Sequence, residues 1–510
     1  MRVALAQINT TVGDLEGNVK RCLAAIQNAS LENPDLIVLP EMAVPGYPPR
    51  DILYDSTFID AVTDATRDLA RRVKDGPPTV VGTCAPSGSN LPNHPGLYNL
   101  AVLIHHGDIE QVAAKRLLPG YDVFYEPRWF LPGPASEPKT IAGRQVGFLI
   151  CEDMWDQGYD VHPGAELQAA GAELLVCISA TPYRRGVMKE RLTHARRQGL
   201  PLVHVNLCGA NDELIFDGRS FVLDQAGNQI VQLGAFEEDI QVVDLNTASP
   251  ILLSQDNLEQ EIFRALSLGV RDFADKNHLG RAFLGLSGGI DSSVVACIAT
   301  DALGPERITG IAIPSRYTDP RSTECAQMLA DNLGISFELV NLERLHTASE
   351  ETLSALLTEG TTAENIQARL RAMILMSFVN HSGGLLLNTS NKTELALGYT
   401  TIYGDMAGTL CPIADLTKPE VYALAHWINT EREIIPSYVL ERPPSAELRP
   451  DQVDPFDYPK IAPQMERLVR ANRSDATMRR SEHKRWQFGL ILKVSAKAFG
   501  SGRMIPITRN

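Results

Sequence analysis

Apolar residues along the first half of the chain come in two rhythms. Short runs of strand length recur at 2–8 (RVALAQI), 36–40 (LIVLP), 79–84 (TVVGTC), 145–151 (QVGFLIC), 173–179 (ELLVCIS) and 202–208 (LVHVNLC), and predict strands. Residues 18–29 and 60–73 instead repeat apolar positions at helical spacing. AVLIHHGDI followed by QVAAK predicts a hairpin turning at His106-Gly107-Asp108, and SFVLDQAGNQIVQLG a second with a Gly-Asn turn. Strands alternating with helices, with hairpins added, predict a layered α/β fold with a mixed sheet.

The rhythm breaks at NTASPILLSQD, a polar stretch with a proline, which places a linker at 247–256 between domains at 1–246 and 257–510. From Leu258 a new alternation starts. EQEIFRALSLGVRDFADKN reads as a long helix, RAFLGLS as a strand, DSSVVACIATDAL as a helix, ITGIAIPS as a strand, TECAQMLADNLG as a helix and SFELVNL as a strand. This is a doubly wound parallel α/β pattern. Residues 347–362 are polar and helix-ambivalent, and read as a lid that orders when substrates bind.

The 510 residues suit two large domains. An apolar share of 44% and a charged share of 21% exclude a disordered tail protein, a collagen and a disulfide scaffold. With 62 acidic against 47 basic residues the net charge is −15. Such a chain repels a phosphate backbone, so no nucleic-acid partner is expected, although a local basic pocket for a nucleotide is compatible with it. The eight cysteines include no C-x-x-C pair, which leaves a structural zinc site without a signal. No secretory leader pattern opens the chain and no apolar run has membrane-spanning length. The expected compartment is the reducing cytoplasm, with the cysteines as thiols.

The sharpest local signal is 284–295, LGLSGGIDSSVV. A buried strand ends at Leu286-Ser287, Gly288 and Gly289 let the backbone approach an anion, and a helix opens at Ile290-Asp291 with free N–H groups facing the same point. Ser287, Ser292 and Ser293 add hydroxyl donors, and Asp291 a carboxylate where a phosphate-bridging Mg²⁺ would sit. A tight strand-to-helix turn with an aspartate cap has the same glycines, but S-G-G-x-D-S is more specific. It differs from G-x-x-x-x-G-K-[ST], which disfavours a γ-phosphate hydrolase. The motif resembles the pyrophosphate loop of ATP-pyrophosphatase ligases. These enzymes adenylate a substrate oxygen, release pyrophosphate and let a nitrogen or sulfur nucleophile displace AMP.

Further segments narrow the resemblance: ENIQARLR (364–371), LLLNTSNKTELALGYTTIYGD (385–405), PIADLTK (412–418), EHKR (482–485) and KAFGSGRMIPI near the end. From the residues alone, Arg369 and Arg371 lie two apart and so do not share a helix face. Either fits a solvated surface charge, and Glu364 fits a helix N-terminal charge. Together the segments resemble the NAD synthetase family over 257–507, which implies an adenine nucleotide alpha-hydrolase-like domain. By that resemblance Thr389, Lys418 and Ser445 join the 286–293 loop in contacting ATP. Asn365, Arg369, Glu394 and Lys484 would contact nicotinic acid adenine dinucleotide (deamido-NAD), with Asp291 and Glu394 also holding Mg²⁺. The chain departs from the family at Ser390, where glycine is common, at Ile402, where ammonia-only enzymes often carry lysine, and at WQFGLIL after EHKR.

In the first half Glu41 follows a buried strand, Lys115 precedes a proline-bounded loop containing Glu126, and Cys151 ends another buried strand. Each alone has an ordinary reading: a lone strand-end cysteine is usually a small buried hydrophobe. A thiol becomes nucleophilic beside a cation such as Lys115, with a carboxylate such as Glu41 to take and return its proton. LPE, then KRLLPGYDVFYEPRWF, then CEDMW resemble the nitrilase superfamily in order and spacing, over 1–246. The resemblance implies an αββα sandwich and a Glu41–Lys115–Cys151 amidase triad, with Glu126 orienting or tuning Lys115. VNLCGANDELIFDGRS, 205–220, also looks like that superfamily's late segment.

A nitrilase-like half fused to a NAD synthetase half implies glutamine as the amide. Tyr47, Tyr121, Glu126, Glu152 (through its N–H), Trp155, Ser179 and Arg185 would line its pocket, with Arg184 the alternative arginine. The combined expectation is amidation of deamido-NAD with ammonia freed from glutamine, giving NAD, AMP, pyrophosphate and glutamate. Resemblance also implies a homo-oligomer with active sites shared across a dimer, and fusion of the halves suggests an enclosed ammonia passage. The rival is another glutamine-dependent amidotransferase or ligase with the same loop. The acidic charge argues against its tRNA-modifying form.

Overall fold

A computed structural model of the chain describes residues 1–251, 257–357, 361–503, 505 and 507. Residues 252–256 of the expected linker, 358–360 of the expected lid, and Met504 and Pro506 of the last motif lie outside the described residues. The chain forms two compact units, Met1–Gln255 and Asp256–Asn510.

The first unit pairs two six-stranded sheets. One is ordered Asp239–Asp244, Arg2–Gln7, Leu36–Val38, Thr79–Pro86, Leu97–His105, Asp108–Ala114; the other Gln229–Gln232, Phe221–Leu223, Leu202–Asn206, Leu174–Ser179, Arg144–Ile150, Lys139–Ile141. Both are parallel at the centre and antiparallel toward the edges. Val3, Leu5, Leu36 and Val38 share one core with Phe148, Val176, Ile178 and Val203 of the opposite sheet. Their neighbours Ala4, Ala6, Ile37 and Leu39 pack with helices Leu15–Ser30 and Ser56–Arg72. Leu149, Leu175 and Cys177 do the same with helices Pro163–Ala169 and Val187–Arg197. Because both faces of the central strands are covered, their sequences read as apolar runs rather than as alternation. This is the αββα sandwich.

Three details depart from the sequence pattern. The run 202–208 splits, so that Leu202–Asn206 stays in the sheet and Cys208–Asn211 pairs with Leu214–Asp217. The second hairpin turns through 224–228, where the Asp224 carboxylate accepts from the Ala226 and Asn228 N–H groups at 2.9 and 2.8 Å. Helix Val187–Arg197 gives little apolar rhythm because its buried side carries Arg191, which pairs with the equally buried Asp217 at 2.9 Å.

The second unit is built on a parallel sheet ordered Ser336–Leu339, Ile308–Ala312, Ala282–Gly285, Leu385–Leu386. Phe283, Ile311 and Leu386 pack with Ile374 and Phe378 of helix Thr361–Ser382. Helices Leu258–Lys276, Ile290–Leu303 and Lys418–Ile428 pack on one another beside the same strands. Of the expected lid, 347–352 is the end of a helix, Glu343–Thr352, and 361–362 the start of Thr361–Ser382.

One glycine decides how closely the first sheet approaches a site loop. A Cβ on Gly82 would stand 2.3 Å from the Met42 nitrogen and 2.4 Å from the Pro40 oxygen, the residues flanking Glu41. Both are backbone atoms, so neither can swing aside. Gly82→Ala is expected to destabilise the first unit by about 1–3 kcal/mol, read as a lowered urea midpoint. An unshifted transition would show that the loop has room to move.

Candidate active sites

In the first unit three strand ends deliver Glu41, Lys115 and Cys151, which are 0%, 1% and 4% exposed. Lys115 Nζ donates to Glu41 Oε1 at 2.9 Å and to Glu126 Oε1 at 2.7 Å. Glu41 also accepts from Asn99 Nδ2 at 2.7 Å and from the Ala180 N–H at 2.8 Å. The Tyr47 hydroxyl donates to Glu126 Oε1 at 2.9 Å. Burial works against the Lys115 ammonium, but Glu126 and Glu41 outweigh it and hold it well above the usual lysine range. Burial pushes Glu126 up to about 7 against the pull of Lys115. Burial, reinforced by Glu41, also raises the Cys151 thiol well above its ordinary value, although Lys115 and Thr181 favour the thiolate. Burial thus favours the thiol over the thiolate at this position.

Cys151 has φ +45° and opens a short 3-10 turn, Cys151–Met154. The Asp153 carboxylate accepts from the N–H groups of Ile150, Arg116 and Leu117 at 3.1, 3.0 and 2.9 Å. It thus fastens the segment after Lys115 to the turn that carries Cys151. Sequence reasoning passed over Asp153, Asn99 and Thr181; for Asp153 the signal was present in C-E-D.

The expected glutamine-pocket residues fall into two groups. Tyr47, Glu126, Tyr121 and Glu152 are tied to the centre: the Tyr121 hydroxyl donates to both Glu152 oxygens at 3.0 and 3.1 Å, and Tyr159 adds a third bond at 2.8 Å. Glu152, expected through its N–H, therefore also has an engaged carboxylate, which burial raises above its ordinary value. Ser179 is buried at the end of its strand with its hydroxyl 3.5 Å from Cys177 Sγ. Trp155 packs against His194 with ring centroids 4.5 Å apart and the planes tilted by 33°. Arg185 is half-buried on the loop before helix Val187–Arg197, while its neighbour Arg184 is paired with Glu190.

In the second unit the loop 286–289 joins strand Ala282–Gly285 to helix Ile290–Leu303. Gly288 has φ +72°, and a Cβ there would stand 2.0 Å from the Ser322 carbonyl oxygen, so only glycine fits. The Ser287 hydroxyl accepts from the Gly289 N–H at 3.2 Å, and the Ser292 and Ser293 hydroxyls donate to the Gly289 carbonyl at 3.0 and 2.8 Å. A cavity opens over this loop. Leu286, Ser287, Gly289, Ile290, Asp291 and Ser292 border it, with Thr389, Glu394, Lys418 and Ser445 on other sides.

Lys418 Nζ donates to Asp291 Oδ2 at 2.5 Å and to Glu394 Oε1 at 3.3 Å, while Asn391 Nδ2 holds Asp291 Oδ1 at 2.9 Å. Burial pushes Glu394 up to about 7, with Lys418 opposing and Asp291 adding to the shift. Burial opposes the Lys418 ammonium, but Asp291 and Glu394 hold it well above the usual range. Among the described residues no three His, Cys, Asp or Glu side chains gather as a metal cluster.

Asn365, Arg369 and Lys484 converge on the chain between 398 and 405. Asn365 Oδ1 accepts from Thr401 Oγ1 at 2.7 Å, Arg369 Nε donates to the Ile402 carbonyl at 3.1 Å, and Lys484 Nζ donates to the Gly398 and Thr400 carbonyls at 2.8 and 2.7 Å. That segment places Tyr399, Thr400, Gly404 and Asp405 in the cavity wall. Two basic wall residues were not expected at the site: Arg371, read from sequence as a solvated surface charge, and Arg442, which no motif marked. Arg371 borders the cavity rather than bulk solvent, and burial brings its guanidinium down to about 10. Arg442 also lines it, bound to Ser322 Oγ at 2.5 Å and Glu447 at 2.9 Å.

The Glu126 shift has a pH signature. Raised from 4.5 to about 7 in the folded chain, this carboxyl binds a proton that the unfolded chain has released across that window. Its contribution is therefore intact below 4.5 and is lost as pH rises through about 7. Glu126→Gln, which cannot ionise, is expected to gain thermal stability relative to wild type as pH is raised from 4.5 to 7.5. A pH-independent difference in melting temperature would contradict this.

Comparison with known proteins assigns a family to each half of the chain. The family model described as carbon-nitrogen hydrolase matches residues 2–250, and that described as NAD synthase matches 262–491. The chain is 38% identical to a glutamine-dependent NAD(+) synthetase of Synechocystis sp. and 38% identical to one of Rhodobacter capsulatus, each over 99% of this chain and 98% of the relative. The solved structure of glutamine-dependent NAD+ synthetase from Acinetobacter baumannii, in complex with adenosine diphosphate, matches with a TM-score of 0.80 at 29% identity, covering 99% of this chain and 98% of that one. With both catalytic modules in one chain and relatives alike from end to end, the chain belongs to the glutamine-dependent NAD(+) synthetases, which amidate deamido-NAD to NAD.

Proposed function

We propose that Glu41, Lys115 and Cys151 free ammonia from glutamine in the first unit, and that the cavity over the 286–293 loop adenylates deamido-NAD in the second. The carrying observation is the buried Lys115 ammonium clamped between Glu41 and Glu126 beside the Cys151 thiol. Cys151 Sγ attacks the glutamine amide carbon while its proton passes to Glu41. Lys115 and the Glu152 N–H face the oxyanion that develops. Glu41 returns the proton to the departing nitrogen, releasing ammonia, and then activates the water that hydrolyses the glutamyl thioester. Tyr47, Tyr121, Glu126, Glu152, Trp155, Ser179 and Arg185 form the glutamine pocket.

In the second unit ATP lies with its phosphates over Ser287–Ser293 and against Thr389, Lys418 and Ser445, a placement supported by the cavity over that loop; nucleotide binding as such is supported by the adenosine diphosphate complex of the Acinetobacter baumannii relative. Asn365, Arg369, Glu394 and Lys484 serve deamido-NAD, the first two and Lys484 through the 398–405 segment they hold. A nicotinate oxygen attacks the α-phosphorus, pyrophosphate leaves, and ammonia then displaces AMP. Asp291 and Glu394 suit Mg²⁺: both reach one point, taken by Lys418 Nζ, and Mg²⁺ is commonly held by one or two carboxylates plus substrate phosphates. When bound, the ion would neutralise phosphate charge. The setting is the reducing cytoplasm, a reading that rests on the sequence pattern; no helix among the described residues is long and apolar enough to cross a membrane. The partners are small molecules, with no nucleic acid; the assembly is a homo-oligomer, by resemblance alone.

Two outcomes test the division of labour. Cys151→Ala is expected to abolish glutamine-driven NAD formation and keep the ammonium-driven reaction. Glu41→Gln should lower the glutamine-driven kcat by about 10²–10⁴-fold. Loss of both reactions in a folded Cys151→Ala protein would sink the assignment. Lys418→Ala leaves Asp291 and Glu394 facing each other without their cation. It is expected to raise the KM for ATP and slow NAD formation from either nitrogen source; an effect confined to glutamine would remove Lys418 from the ATP site.

A further inference from the structure

The loop after strand Leu174–Ser179 touches both ends of the proton transfer just described. The Ala180 N–H donates to Glu41 at 2.8 Å, and the adjacent Thr181 sets Oγ1 3.5 Å from Cys151 Sγ. Thr181 is buried and its backbone is fixed. Its N–H donates to Asn206 Oδ1 at 2.9 Å, and Asn206 Nδ2 reaches back to the Thr181 carbonyl at 3.4 Å and on to Asp217 Oδ1 at 3.3 Å. Asp217 is in turn held by Arg191 at 2.9 Å, both fully buried. A run of buried polar contacts therefore ends in one hydroxyl at the sulfur. Burying such groups is costly unless all are paired, and a valine of the same shape at 181 would pack without any of them needing to reach the sulfur.

We infer that Thr181 is a further residue of the amidase reaction: its hydroxyl holds the Cys151 side chain and donates to the sulfur as the thiol proton leaves for Glu41. This rests on Cys151 being the nucleophile. As the S–C bond forms, the S–H proton goes to the Glu41 carboxylate and the carbonyl π pair to oxygen; Thr181 keeps its own proton throughout. The other groups acting on the sulfur are Glu41, Lys115 and Glu126, with the Tyr47 and Tyr121 phenols beyond. Of these Lys115 is the cation, and Thr181 supplies the neutral donor.

The test uses the full chain. Glutamine-driven and ammonium-driven NAD formation are measured with the pH profile of Cys151 alkylation by iodoacetamide, read on the Cys151 peptide. Thr181→Val should lower the glutamine-driven kcat about ten- to a hundred-fold and move the alkylation profile to higher pH. Thr181→Ser should restore both. The ammonium-driven rate, a reaction of the second unit, should stay at wild type, the urea midpoint of the first unit reports its folding, and Thr181→Ala takes over if the valine variant misfolds. Wild-type glutamine activity in the variant, or slowed turnover with an alkylation profile that overlays wild type, would overturn the inference. A Cys151→Ala protein that still uses glutamine would instead overturn the nucleophile assignment beneath it.

Discussion

Keeping the Lys115 ammonium charged in a buried site is the constraint around which the first unit is arranged. Removing such an ion from water costs several kcal/mol unless partners replace its hydration. Glu41 and Glu126 supply the opposite charge, but two buried carboxylates on one ammonium leave an excess negative charge. Asn99 and the Ala180 N–H share the load on Glu41, and Tyr47 shares it on Glu126. These partners come from four separate parts of the sandwich, Glu41 and Tyr47 sharing the loop after strand Leu36–Val38. The site therefore exists only when both sheets are assembled, and the charge state of the lysine is a property of the whole unit.

The second unit uses the same device in a different setting. Lys418 is clamped by Asp291 and Glu394 much as Lys115 is by its two glutamates, and burial raises one carboxylate of each set to about 7. The difference is access. Lys115 is sealed, so its partners are permanent, whereas Asp291, Glu394 and Lys418 border an open cavity. Under the proposed function, a polyphosphate arriving there would compete for the lysine, and the freed carboxylates would become available to a divalent cation. A permanent clamp suits a group that tunes a neighbouring thiol; an exchangeable one suits a group that receives a charged substrate.

The sandwich was legible because strands buried on both faces write themselves as apolar runs, and Glu41, Lys115 and Cys151 because each sits at a strand end within an ordered motif. Helix Val187–Arg197 was hidden by Arg191, since a buried ion pair removes an apolar residue from the face that would reveal the period. Asn99 and Ala180 lie 58 and 139 residues from Glu41, a pairing that no local pattern encodes. The two arginines of NIQARLR follow the helical geometry that separates them: Arg369 turns to the Ile402 carbonyl and Arg371 to the Ile313 carbonyl, the second at the cavity. Spacing told that they diverge but not which of them meets the ligand space.

The segment N-K-T-E shows why reading a motif residue by residue undercounts its work. Asn391 caps helix Lys392–Leu397 while its amide fixes Asp291, and Glu394 faces Lys418. Lys392 turns to a different set of partners, Asp415 at 2.9 Å, Glu466 at 2.7 Å, Ser495 Oγ at 2.9 Å and the Lys497 carbonyl at 2.7 Å. Asp415 also accepts from the Val494 and Ser495 N–H groups, so the C-terminal tail is anchored beside helix Lys392–Leu397. The same tail carries Lys484, which grips the Gly398 and Thr400 carbonyls. One short helix therefore links the Asp291 carboxylate to the tail that shapes the 398–405 wall. The carbonyls that Lys484 holds fix the course of that wall, so its place in the fold is structural as well as local to the cavity.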